Sequence, residues 1–102
     1  MNSIEFLKYL YASVQGLIED SIAESFKRIC HMKIIAWYIY FTEQIECTFL
    51  VKNTIAELKS RISLHIKEIG TDIRYDMYQY KKRYEITQLN FFLDFLDKLE
   101  KN

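Results

Sequence analysis

Apolar residues fall three and four apart along nearly the whole chain. Ile4, Leu7, Leu10, Tyr11, Val14, Leu17 and Ile18 make the first such series, the spacing that buries one face of an α-helix. Ser3 is placed to cap it, and Gly16 weakens it by about 1 kcal/mol relative to alanine. Ser21-Ile-Ala-Glu24 then has the form of a capping box, in which the serine and the glutamate satisfy free backbone N–H groups reciprocally. Ile22, Phe26 and Ile29 continue the first phase, so one helix running to about residue 30 competes with a break. The capping signal favours a break near Asp20. From Ser21 nothing interrupts the pattern until Lys52-Asn53-Thr54, where Asn53 favours a turn and Thr54-Ile-Ala-Glu57 is a second capping box.

Ile55, Leu58, Ile62, Ile66 and Ile69 hold helical spacing as far as Gly70, a residue common just past a helix C-terminus. Thr71 or Asp72 caps the last helix. Its predicted face is Ile73, Met77, Tyr80, Tyr84, Leu89, Phe92, Leu96 and Leu99, with Asp94, Asp97, Lys98 and Glu100 off it. Four helices are expected, at about 3–19, 21–51, 54–69 and 72–100. Connections of a few residues make sequential helices antiparallel neighbours. The expected fold is therefore all-α, a single domain over residues 1–102, built as a small antiparallel bundle with two long helices.

The run Ile34-Ile-Ala-Trp-Tyr-Ile-Tyr-Phe41 is rich in β-branched and aromatic residues, and a buried strand competes with a helix there. No Gly or Pro bounds the run, and helical spacing resumes at Ile45 and Phe49, which favours helix. Ser21–Lys33 and Thr54–Lys67 also echo each other, both running cap-Ile-Ala-Glu, Arg-Ile, His, Lys. The shared capping box accounts for most of that echo, and the tetratricopeptide pattern is absent.

Composition supports the helical reading. The 102 residues include no proline and two glycines, whereas sandwiches, barrels and Rossmann folds need many turns. Fourteen basic and fourteen acidic side chains give no net charge, which argues against a strong polyanion binder but leaves room for a local patch. Ten lysines against four arginines, with abundant Ile and Tyr, point to an AT-rich genome of a low-GC bacterium, phage, plasmid or virus. Cys30 and Cys47 are too few for a disulfide scaffold and are expected as thiols in a reducing cytoplasm. The N-terminus lacks the basic start and unbroken apolar run of a signal peptide. The longest clean apolar run is eight residues, 34–41, too short to cross about 30 Å of hydrocarbon.

That run is the first candidate site. Eight apolar residues coat the whole circumference of a helix, and a helix apolar all round is buried all round. It serves either as a central core helix or as a partner surface. Trp and Tyr are enriched at interfaces, so Ile34, Trp37, Tyr38, Tyr40 and Phe41 are the candidate partner-binding residues, with self-association to a homodimer expected. The second candidate is 74–84, where basic and aromatic residues interleave as on surfaces that stack bases and touch phosphates. Arg74, Tyr78, Lys81 and Lys82 are the candidate nucleic-acid contacts. Four cations diluted by Asp76 and Glu85 are few for that purpose, and a solvated helix face is the plainer reading.

Catalysis finds little support. Arg61-Ile-Ser-Leu-His65 resembles the Arg–His motif of the HEPN ribonucleases, which are also helical bundles, but its gap is shorter and Ile62 stands where that family has a polar residue. Cys30, His31, Cys47 and His65 lack metal-ligand spacing, and there is no glycine-rich phosphate loop. No metal and no cofactor are expected. In pattern alone the chain is similar to the dimerisation domains of PadR-type regulators and to small bacteriocin immunity proteins. The expected function is a non-enzymatic protein-interaction module: a regulator, adaptor, chaperone or antitoxin- or immunity-like neutraliser. A nucleic-acid-associated regulator using 74–84 is the alternative.

Overall fold

The computed structural model describes the backbone of residues 3–42 and 49–101, with side chains throughout except at positions 3, 4, 6, 35, 37–42, 49 and 50. Most of those residues are helical and none is in a strand, and the strand alternative for 34–41 falls away. α1 is Ser3–Gly16, α2 Ile22–Thr42, α3 Phe49–Thr71 and α4 Gln79–Lys101, with a single 3-10 turn at Ile73–Tyr75.

The break expected near Asp20 is present. The Asp20 amide donates to Gly16 O at 3.0 Å as α1 ends. The Glu24 amide then donates to Ser21 Oγ at 3.3 Å, so Ser21 caps α2. The break expected at Asn53-Thr54 is not there: α3 begins by Phe49 and runs through both residues. Val51 lies four residues before Ile55, and both are buried. Burial in phase overrides the local turn preference of asparagine and threonine, so only the first of the two echoed capping boxes starts a helix. Residues 43–48, including Cys47, lie outside the described residues.

α1 packs against α2 and α3, and α4 packs against α3 and α2. The principal contacts close a ring in which the consecutive helices α2 and α3 occupy opposite corners. That departs from the expectation that every sequential pair would be neighbours. The core runs along the ring's axis, from Leu7, Leu10, Val14 and Leu17 on α1 to Leu89, Phe92, Leu96 and Leu99 on α4. The molecule measures 42 × 23 × 19 Å. Helices of 21 to 23 residues rise about 33 Å, so they lie along the long axis, with the α1–α2 and α3–α4 connectors together at one end.

The expected face of the last helix is corrected in its first half. Ile73, Met77 and Tyr80 are 80%, 90% and 73% exposed, and Tyr75 and Glu85 are wholly buried instead. α4 starts only at Gln79, so residues 73–78 do not share its phase. The buried seam of Leu99, Leu96, Phe92 and Leu89, followed backwards, arrives at Glu85.

Candidate functional site

On α2 the apolar run has an outward side. Ile29, Met32 and Ala36 are buried, whereas Ile34 is 67% exposed. Positions two apart on a helix lie about 200° around it, which fits Ala36 inward and Ile34 outward. Trp37, Tyr38, Tyr40 and Phe41 have helical backbone, and their side chains lie outside the described residues.

The basic–aromatic segment is divided between two tasks. Arg74 is turned onto the protein itself. Its Nη1 donates to Asp20 O at 2.7 Å and its Nη2 to Ile18 O. Its Nε and Nη2 also donate to the Asp72 carboxylate at 3.0 and 2.8 Å. Asp72 accepts the Arg74 amide at 2.9 Å, capping the 3-10 turn. Arg74 holds the Asp72 carboxyl below the usual carboxylate range. One guanidinium thus satisfies carbonyls left free beyond α1 and ties the α1–α2 connector to the α3–α4 connector. Tyr78 is half exposed, with the Lys81 ammonium 5.5 Å from its ring centroid. Lys82 is partly buried. Of the four expected contacts, Tyr78, Lys81 and Lys82 remain together on one face, and Arg74 is committed elsewhere.

Beneath this connector lies a polar cluster that composition and spacing did not disclose. The Tyr75 hydroxyl donates to Glu85 Oε2. Ser25 of α2 lies beside both, and Ser25, Tyr75 and Glu85 have no accessible surface. Ser25 Oγ and Glu85 Oε1 are left without a hydrogen-bond partner. Burial pushes the Glu85 carboxyl up, against the opposing pull of Tyr75, Ser25, Lys81 and Arg74. Burial, and then the Glu85 carboxylate, push the Tyr75 phenol up. The signal that locates Glu85 is its place in the α4 seam, four residues before Leu89. Its charge outweighs that signal when residues are sorted by polarity alone.

Arg28 of α2 completes this end by pairing with Asp20. It lies flat against Gly16, where an added Cβ would stand 3.1 Å from the guanidinium carbon. Farther along, Cys30 Sγ meets Tyr84 Oη at 3.5 Å, and Cys30 followed by burial pushes the Tyr84 phenol up to about 12. His31 Nδ1 contacts the Tyr9 hydroxyl. His65 is partly buried on α3, its Nδ1 3.1 Å from Glu68 Oε2 but without the alignment of a hydrogen bond. Burial lowers its pKa. His65 and Arg61 are not joined, and Arg61 instead lies over the Tyr11 ring at 4.3 Å.

The groove between α3 and α4 is open, with a volume of about 620 Å³, and its lining includes Lys59, Leu64, Lys67, Leu93, Asp94 and Asp97. Lys59 spans it to Asp97 and, at 3.5 Å, to Glu100. Among the described residues no cluster of three His, Cys, Asp or Glu side chains has the arrangement of a metal site. Among them, too, no helix is long and apolar enough to cross a membrane. Comparison with protein-family models, with curated proteins and with solved structures found no match to this chain.

Proposed function

We propose that the protein is a non-enzymatic helical interaction module that binds another protein, and that it pairs with a second copy of itself through the apolar run of α2. The observation that supports this is Ile34, 67% exposed within eight consecutive apolar residues. On helical spacing, positions 37, 38 and 41 recur on the face of position 34, and position 40 follows position 36. The outward stripe would then be Ile34, Trp37, Tyr38 and Phe41, an anchor set of the kind that dominates interface energetics. Zero net charge leaves no long-range repulsion between copies. Within each copy, α1/α2 and α3/α4 are taken as antiparallel hairpins. The nucleic-acid reading ranks lower, because Arg74 is occupied by backbone carbonyls.

Sedimentation velocity at micromolar concentration tests this. The wild-type protein is expected to run as a dimer, and Ile34→Asp to run as a monomer with unchanged helical circular dichroism. A wild-type protein that sediments at its 12.4 kDa chain mass would refute the pairing.

A further inference from the structure

The end of the molecule that holds the α1–α2 and α3–α4 connectors combines two features. Its turn is densely hydrogen-bonded, and it carries most of the exposed large apolar side chains among the described residues. Ile73, Met77 and Tyr80 are 80%, 90% and 73% exposed, with Tyr78 at 49%. They are not on a loose loop. Asp72 caps the turn, Arg74 fastens it to Ile18 and Asp20, and Tyr75 is fastened to Glu85. The segment is two-sided: Arg74 and Tyr75 are turned onto the protein, and Ile73 and Met77 protrude.

Charge selects what these protrusions meet. Residues 72–83 hold four cations and two anions in a chain of zero net charge, and Arg74 already neutralises Asp72. Lys81, Lys82 and Arg83 form no ion pair among the described residues. Lys81 lies over the Tyr78 ring, and the charge of Lys82 is felt at Asp72. Lys81 and Lys82 therefore stand beside the exposed Tyr78, with Lys81 also 5.8 Å from the Phe26 ring centroid of α2, and Arg83, two positions on from Lys81, lies on the other side of α4. Ile73 and Met77 stand on the turn between α3 and α4, not on one continuous helix face that a partner helix could pair with. Protruding Ile and Met, tyrosines with an apolar body and a polar tip, and lysines with long apolar stems suit the boundary between lipid headgroups and acyl chains.

We propose that this end is a peripheral membrane-binding tip: Ile73, Met77 and Tyr80 enter the headgroup boundary of an anionic bilayer, and Lys81 and Lys82 lie against its phosphates. Asp76, exposed within the tip, opposes docking, as does Glu19, exposed on the α1–α2 connector at the same end. The proposal is independent of pairing through α2, because the two surfaces share no residue.

Co-sedimentation with phosphatidylcholine vesicles containing about a third phosphatidylglycerol tests it, with pure phosphatidylcholine vesicles and duplex DNA as parallel arms. Binding to the anionic vesicles is expected to exceed binding to neutral ones at least tenfold, and duplex DNA is expected not to compete. Removing one opposing charge should strengthen binding on the order of fivefold in Asp76→Asn. The double variant Ile73→Ser/Met77→Ser should weaken it at least tenfold while circular dichroism stays unchanged, since both side chains lie outside the core. Ile34→Asp should leave it unaltered. No binding to anionic vesicles, undiminished binding by the Ile73→Ser/Met77→Ser protein, or equal retention by DNA would each overturn the proposal. The last two would assign the tip to polyanions in general.

Discussion

Glu85 is a carboxyl group with no accessible surface, and such a group costs stability when it ionises. Its folded pKa is raised above its ordinary value of 4.5 by burial. Its contribution is therefore complete below about pH 4.5 and is lost as the pH rises through the folded pKa. Glu85→Gln keeps the shape, still accepts the Tyr75 hydroxyl, and adds an amide that can donate to the unpartnered Ser25 oxygen. The variant should unfold at higher urea than the wild type at pH 8, by about 1 kcal/mol, and the difference should vanish near pH 4. Urea midpoints at both pH values are the check. A difference independent of pH would mean that the carboxyl does not titrate in this range. Residues such as Glu85 and Tyr75 are the hardest to find from sequence. Hydrophobic spacing locates Leu89, Phe92, Leu96 and Leu99 correctly, because apolar identity and burial agree there. At Glu85 the period points inward and the charge points outward, and only packing against Ser25 and Tyr75 decides between them.

At the level of elements, helix boundaries followed backbone satisfaction and burial more closely than local signals. Ser21 caps α2 as its sequence promises, because the chain has just left α1 and needs partners for free amides. Thr54 carries the same motif but lies inside α3, where Val51 and Ile55 already bury one continuous face. α3 also runs through Gly70. The Thr71 hydroxyl then donates to Lys67 O and Glu68 O at 3.4 and 3.3 Å, taking carbonyls that the ending helix leaves free. The two glycines consequently make opposite predictions. At Gly70 nothing lies within 4 Å of an added Cβ, and no glycine has positive φ. Gly70→Ala should stabilise by about 0.5–1 kcal/mol. At Gly16 the added Cβ meets the Arg28 guanidinium at 3.1 to 3.4 Å, and moving that group loosens its pairing with Asp20. Gly16→Ala should gain helix propensity and lose this contact, for a net change within about 0.5 kcal/mol of zero. Thermal melts of both variants measure the contrast. Equal stabilisation at the two sites would show that Arg28 yields at no cost.

For the whole molecule, the all-helical class followed from spacing and from the scarcity of turn residues, but the ring order could not. Short connections favour neighbours, and α2 and α3 nevertheless sit at opposite corners. The pairs α1/α2 and α3/α4 are joined along the middle by apolar side chains and at one end by Arg74, which reaches from the 3-10 turn to the last carbonyls beyond α1. Hydrogen bonds from a guanidinium to backbone carbonyls are worth more than neutral ones. The Arg74 side chain is 37% exposed, so solvent screening reduces the benefit to about 1 kcal/mol. The consequence of removing it should be local. Leu17 and Ile29 on one helix pair, and Ile62, Ile69 and Leu89 on the other, are fully buried, and their contacts hold the helices together. In Arg74→Ala, amide hydrogen exchange should accelerate across residues 17–25 and 72–78, while the amides of α3 between Ile55 and Ile66 change only by the small global loss. Exchange measured residue by residue under native conditions separates the outcomes. Uniform acceleration throughout α3 and α4 would mean that the connector end opens only with the whole bundle, and Arg74 would then act on overall stability, not as a local fastening of two connectors.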